Sequence, residues 1–575
     1  MSIFDIFRSK KKIKAPWEKY YNDAEKNIRI PNISMYDQIK ISTYKYPNKR
    51  AINYINRDIK YRTFFKWINR ASCSFKRYGI KKGDIVTICL PNIPNCLVAL
   101  YGLNRIGAIA NMVHPLSASE EIKTAITSTR SKFVFVLDLF YDKVIDILDD
   151  TCCEMVIVCS AADYLQFPLN ILYKLKNIKK IKNVKYNDNT ISYKKFMRMG
   201  SGIEFSEKRY GKDTAAVILH SGGTSGKPKN VVLQNRAFIL GSKQEQECLK
   251  LSSKDSCLAI MPNFHGFGLS VCMHTPLSIG ASTCLVPEFN GKKFDVLFKQ
   301  KKPSIVLGVP TLFEALITYK NVENFDLSFL RYAISGGDIL TKNLEERVNN
   351  FFIEHNSRAR ITQGYGLSEA LAAVCLAYDD INKSGSIGIP LPGNHIKIID
   401  PATLKEVKYG DVGEIVIHSK ALMMGYLNDE SETNAALKIH DDGHVWLHTG
   451  DLGYMDKDGF VFYKGRQKRM IITSGYNVYP AHVEEVIESH PAVLQCTVVG
   501  VPHPYKQEVG KAFIVLKDGY HKIFVQNDIK EYCKKNLAKY MIPYYFVYRK
   551  QLPKTKLGKV DFRKLQSEGE SLDDE

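Results

Sequence analysis

Short apolar runs of strand length, separated by stretches long enough for a helix, constrain this chain more than any other feature. They read DIVTICL (84–90), KFVFVLDL (132–139), MVIVCS (155–160), PSIVLGVP (303–310) and LRYAISGG (330–337). A run that is apolar at every position has two faces to cover, which is the condition of a parallel strand sandwiched between helices. The alternation therefore predicts an α/β architecture. At 575 residues the chain exceeds what one core can serve, so roughly two to four domains are expected.

The texture changes after Ile387, where GNHIKIID, GEIVIHS and GFVFYKGR alternate apolar and polar residues between Gly or Asp turns. That pattern predicts a smaller β-rich subdomain. A last unit begins near GRQKRMIITSGYNVYP (465–480) and holds a helix at His482–Glu488, strands in CTVVGV and KAFIVLK, and a helix near Asp528–Leu537. This reads as a compact α+β domain, and the acidic tail from 566 to 575 reads as disordered.

Charge narrows the partners. The net charge of +21 is spread along the chain, which favours anionic ligands, an anionic membrane surface or nucleic acid. The 13 cysteines are scattered without any C-x-x-C, as buried reduced thiols would be, which points to the cytoplasm. The start, MSIFDIFRSKKKIKAPW, carries its charges after the apolar residues, the wrong order for a secretory leader. No apolar run approaches about 18 residues, so no spanning helix is expected. The segment YLQFPLNILYKLKNIKKIKNVKY (164–186) spaces Leu169, Leu172, Leu175 and Ile178 as on a helix, among many lysines. It fits equally a helix lying on the inner face of an anionic membrane and a helix packed on its own domain.

The chemistry concentrates in HSGGTSGKPKNVV (220–232), which follows the strand-like TAAVIL. Glycines that free backbone N–H groups, small hydroxyls and lysines, placed straight after a strand, suit a polyphosphate. The Walker pattern fails, because Gly222 and Gly226 enclose three residues and Pro228 follows Lys227 where a magnesium-binding hydroxyl would stand. Four further stretches accompany it: PNFHGFGL (262–269), QGYGLSEA (363–370), LHTGDLGY (447–454), which reads as exposing an Asp beside Gly, and LPKTKLGKVDFRKL (552–565).

In order and spacing these stretches resemble the adenylate-forming superfamily of acyl-CoA synthetases, luciferases and peptide-synthetase adenylation domains, from about Trp17 to Leu565. Ser221–Lys229 fits its phosphate loop at every position, and Gln363–Glu369, Thr449–Asp451, Gly465-Arg466 and Gly558-Lys559 fit its other signatures. The resemblance implies a large domain (1–467) of two α/β subdomains and a β-rich one, followed by a small mobile α+β domain (468–575). It implies ATP, Mg²⁺ and coenzyme A, with an acid first joined to AMP and then passed to a thiol.

By the same resemblance, Ser221, Gly222, Gly223, Thr224, Ser225, Gly226 and Lys229 would cradle phosphates. Glu369, with Thr224, would hold Mg²⁺, and Ser368 would donate to the α-phosphate. Gly364 and Tyr365 would face adenine, Asp451 and Arg466 the ribose, and Lys559 the reacting carboxylate and phosphate. His265, Gly336 and Gly337 would shape the acyl tunnel, Lys468 would be the hinge, and Gly475 would face the thiol. Four residues depart from the family's habit: Asn230, Asp338, Arg469 and Phe562.

MIITSGYNVYPAHVEEVIESHPAV resembles bacterial fatty-acyl-CoA synthetases, which implies a medium- or long-chain fatty acid. Two other readings stand beside it. One is a stand-alone adenylation enzyme loading an aryl or other acid onto a carrier protein. The other is a non-enzymatic basic membrane- or nucleic-acid-binding protein on a retained scaffold. No nucleic-acid partner is expected on the leading reading.

Overall fold

The computed structural model of the protein describes residues 13–181, 184–202, 209–221, 228–290, 294–318, 325–473, 476–555 and 559–570. The apolar runs form strands as their composition demands. Ile85–Cys89, Phe133–Leu137 and Met155–Cys159 lie parallel within an eight-stranded sheet. Val134, Phe135 and Val136 are all fully buried, and each such side chain contributes about 1.5–3 kcal/mol by leaving water. Ile305–Gly308 and Tyr332–Gly336 belong to a second, nine-stranded sheet whose middle is parallel and whose edges are antiparallel. One hydrophobic core runs from Trp17 through both sheets to Val461.

The expected β-rich subdomain is present. Asn394–Ile399, Gly413–Ser419, Val445–Met455 and Val461–Arg466 form antiparallel pairs in a five-stranded sheet. Beyond it, strands between Ile471 and Arg549 with the helices Pro480–Glu488 and Lys522–Asn536 enclose separate clusters, one around Ile514 and Ile529 and one around Phe513 and Leu565. The last unit thus carries cores of its own.

Two expectations about this unit are corrected. The second helix starts at Lys522 rather than near Asp528. Its buried stripe is Val525, Ile529 and Cys533, while Ile523 and Phe524 are 80% exposed, so the first turn shows no amphipathic signal in the sequence. The stretch from 566 onward, expected to be disordered, begins as part of the helix Phe562–Glu570. Leu565 within that helix is fully buried, Gln566 donates to the Gly500 carbonyl at 3.3 Å, and Arg549 pairs with Glu568 at 3.0 Å. Residues 571–575 lie outside the described residues.

Candidate active site

Parallel strands deliver their carboxyl ends to one edge of a sheet, and that edge is where open α/β folds place ligands. In the nine-stranded sheet Ser335 pairs with Gln363 and Gly336 with Gly364, so two of the sequence motifs end side by side. In the eight-stranded sheet Ala215–Ser221 and Lys229–Gln234 pair antiparallel, with Ser221 opposite Lys229. Gly222, Gly223, Thr224, Ser225 and Gly226 lie outside the described residues.

Glu369 sits in the turn Ser368–Ala370, which packs against both of those strands. The Tyr426 hydroxyl donates to Glu369 Oε1 at 3.0 Å, and the Lys229 ammonium stands 4.6 Å from the centre of the Tyr426 ring while pairing with Glu432. Tyr426 thereby links the carboxylate of one motif to the lysine of another. The Tyr365 hydroxyl, three residues before Ser368, donates to Asp451 Oδ2 at 2.6 Å.

Asp451 was expected to be exposed beside its glycine; it is 1% exposed. It falls inside the long strand Val445–Met455, opposite Arg466, and neighbouring strands cover it. The preceding Gly450 adopts φ +66° and donates to Glu414 Oε1 at 2.9 Å, while the Asp451 N–H donates to Thr449 Oγ1 at 3.0 Å. Arg466 Nε lies 2.8 Å from Asp451 Oδ1, yet that N–H is not aimed at the oxygen, and Oδ1 has no hydrogen bond among the described residues. A buried carboxylate oxygen in that state calls for a donor from outside the protein. Burial pushes the Asp451 carboxyl up, and the Arg466 charge and the Tyr365 hydroxyl work against it.

Lys559 comes from the small lobe and reaches the same place. Gly337, at the end of strand Tyr332–Gly336, has φ +81°, and a Cβ there would stand 3.4 Å from Lys559 Cε and Nζ. Burial pushes the Lys559 ammonium down and the Arg466 charge adds to this, while Asp338 and Asp451 oppose it. His265 is part of the same group. Its Nδ1 accepts from the Phe267 N–H at 3.2 Å, and burial, helped by Lys559, brings its pKa to about 4. At neutral pH the ring is therefore uncharged. A second cross-lobe pair, Lys342 with Glu485 at 3.8 Å, accompanies the docked lysine.

The structure thus brings together Ser221, Lys229, Gly336, Gly337, Gly364, Tyr365, Ser368, Glu369, Asp451, Arg466, His265 and Lys559. Lys468 is exposed in the turn Gln467–Arg469 between the lobes, away from this cluster's hydrogen bonds, and Gly475 lies outside the described residues. Sequence reasoning missed Tyr426, Tyr463, whose ring centre is 6.1 Å from that of Tyr365, and Glu414. Only GYLND around Tyr426 offered a cue, a Gly-Tyr pair that forms a two-residue strand beside Lys229–Gln234.

A cluster of cationic, hydroxyl and carboxylate side chains in a large lobe, met by a half-buried ammonium from a small one, fits an adenylate-forming enzyme. The chain belongs to the AMP-binding enzyme family: that family's pattern matches residues 39–427, and the AMP-binding enzyme C-terminal domain matches 482–559. It is an AMP-forming acyl-CoA synthetase, a class that works with ATP, Mg²⁺ and coenzyme A. Over 560 residues, 96% of this chain and 98% of the other, it is 30% identical to the long-chain-fatty-acid–CoA ligase of Bacillus subtilis (strain 168). It is likewise 30% identical over 504 residues, 85% of each chain, to the 4-coumarate–CoA ligase of Vanilla planifolia. The crystal structure of the anthranilate CoA ligase AuaEII in complex with anthranoyl-AMP shares the fold, with a TM-score of 0.82 at 23% identity over 95% of this chain and 99% of that one. Among the described residues no helix is long and apolar enough to cross a membrane.

Proposed function

We propose that the protein activates a medium- or long-chain fatty acid, joining it to AMP with release of pyrophosphate and then passing the acyl group to coenzyme A. The observation that carries the first step is the Lys559 ammonium lodged against Gly337 beside the buried, half-satisfied Asp451. The physical obstacle in that step is repulsion between an anionic acid and an anionic triphosphate. Fixed positive charge and aimed N–H groups lower it where the two meet. Lys559, half-buried and partly desolvated, would contact both the acid and the α-phosphate. Ser368 would donate to the same phosphate, and Ser221, Lys229 and the turn from Gly222 to Gly226 would hold the outer ones.

Asp451 Oδ1, with no hydrogen bond among the described residues, suits a ribose hydroxyl, and the Arg466 charge beside it favours the ionised carboxylate against burial. Gly364 and Tyr365 would border adenine, and Gly336, Gly337 and the neutral His265 would border the acid. A carboxylate with one oxygen already fixed by a tyrosine is a hard oxygen donor, so Glu369, with Thr224, fits Mg²⁺, which when bound spreads the charge of the phosphates. For the second step we place the domain boundary and hinge at Lys468, so that the small lobe turns and brings the segment around Gly475 to the thiol.

The fatty-acid reading is supported by the nearly full-length similarity to the Bacillus ligase. The similarity to the Vanilla ligase favours an aryl acid as the second reading. ATP–pyrophosphate exchange across a panel of fatty and aryl acids, followed by AMP release with coenzyme A, separates the two. Exchange with straight-chain acids is expected; exchange confined to aryl acids would overturn the fatty-acid assignment. Exchange without coenzyme A-dependent AMP release would instead point to a carrier-protein thiol.

A further inference from the structure

The connection between strands Met155–Cys159 and Thr190–Ser192 takes no part in this chemistry, yet it turns a run of apolar side chains outward. Phe167 is 78% exposed, Ile171 47%, Leu172 55%, Leu175 59%, Ile178 44% and Tyr186 58%. Nothing in the helix Leu169–Lys176 is fully buried. That helix is held from one side only: Leu169, Asn170 and Tyr173 are half-buried, the Tyr173 hydroxyl donates to Asp138 Oδ1 at 3.2 Å, and the helix packs over the turn Ala161–Tyr164. At about 100° of rotation per residue, Ile171, Leu172 and Leu175 share the opposite face, and Lys174 and Lys176 fall on its two borders. Ile178 and Lys179 continue the surface in the next turn. Between Tyr164 and Tyr186 the sequence contains no Asp or Glu.

We propose that this face docks the enzyme on an anionic lipid surface. Charge decides the occupant, because an apolar stripe bordered on both sides by lysines, on a segment with no Asp or Glu of its own, is complementary to acyl chains beneath a negative headgroup layer. The placement agrees: the stripe stands on the outward face of one helix, which can sink into an interface. Position adds a consequence. Asp138, the anchor of Tyr173, directly follows the carboxyl end of strand Phe133–Leu137, and that strand runs parallel, through its neighbours, to Ala215–Ser221. The docking face therefore sits at the same sheet edge as Ser221. Docking there holds whichever acid the site takes.

The test is flotation of the full chain with phosphatidylcholine vesicles, with and without phosphatidylglycerol. The wild-type protein is expected to float with the phosphatidylglycerol vesicles at low salt and to be released as salt is raised. Combining Lys174→Glu, Lys176→Glu and Lys179→Glu should lower partitioning by roughly 10²-fold or more. Leu172→Ser with Leu175→Ser, at unchanged charge, should lower it by roughly 10²-fold. Both variants should retain wild-type ATP–pyrophosphate exchange with a dissolved acid, which reports that the fold is intact. Wild-type protein that stays off anionic vesicles overturns the proposal, as does flotation unaffected by the lysine changes. Flotation unaffected by the leucine changes overturns it too, because the protein then reads charge alone. A wild-type dimer that the leucine changes dissolve would assign the face to a second copy of the chain and overturn it as well.

Discussion

Asp451 is held almost entirely by its own chain: Gly450 turns the backbone, Thr449 takes its N–H, Tyr365 bonds one carboxylate oxygen and Arg466 neutralises the charge. One oxygen is left without a hydrogen bond, so Asp451→Asn should cost ATP binding more than folding. We expect the KM for ATP in the exchange reaction to rise by roughly 10–10²-fold, the loss of a hydrogen bond to a charged group, with the melting temperature nearly unchanged. An unchanged KM would remove Asp451 from the nucleotide. Glu245 makes a different prediction. It is 2% exposed in the helix Asn235–Cys248, Oε2 lacks a partner among the described residues, and burial pushes its carboxyl up from 4.5 to about 8. Between those values the folded chain keeps a proton that the unfolded chain releases, so the group lowers stability as pH rises, by about 1.4 kcal/mol per pH unit, until the folded pKa is passed. Glu245→Gln should therefore be increasingly more stable than the wild type from about pH 5 to about pH 8 in chemical unfolding; a constant difference would contradict this. At this scale the family resemblance singles out residues such as Lys559 and Glu369, which the structure places in one cluster. The sequence conceals Tyr426 and Tyr463, whose part lies in contacts with residues far from them in sequence, and it misleads on Asp451, whose Gly neighbour suggests an open turn.

Elements were more legible than their ends. The buried parallel strands and the alternating β-rich strands announce themselves through patterning, whereas the helix Lys522–Asn536 hides its first turn behind exposed Ile523 and Phe524. The junction of the lobes is the element that spacing could not explain. Arg469 and Phe562, each unusual against the resemblance, meet: the guanidinium lies 4.8 Å from the centre of the phenyl ring. The same guanidinium donates to Glu484 Oε1 at 2.9 Å and to the Val498 carbonyl at 3.3 Å. Burial pushes Glu484 up and Arg469 holds it down, so Arg469→Ala leaves a largely buried carboxylate without its cation. The small lobe should lose about 1–3 kcal/mol, seen as faster hydrogen exchange in residues 476–549 while the large lobe is unaffected. Unchanged exchange there would reduce the pair to surface decoration.

The whole molecule is two lobes with separate cores whose chemistry exists only where they meet. The family resemblance foretold which motifs converge, some at strand ends, Asp451 inside a strand of another sheet and Lys559 from the small lobe, but it carried no information on which arrangement of the lobes would be found. The structure has Lys559 docked at Gly337 with Lys342 and Glu485 paired across the gap, the arrangement suited to joining acid and nucleotide. If the small lobe then turns for the thiol step, Lys559 serves one half-reaction and is absent from the other. The direct measurement is single-turnover kinetics of both halves in Lys559→Ala: adenylate formation from acid and ATP, and thioester formation from preformed acyl-adenylate and coenzyme A. The account predicts a loss of at least roughly 10²–10³-fold in the first, worth about 3–4 kcal/mol, with the second within a few-fold of wild type. Equal losses in both halves, or a first half that runs at wild-type speed, would contradict it.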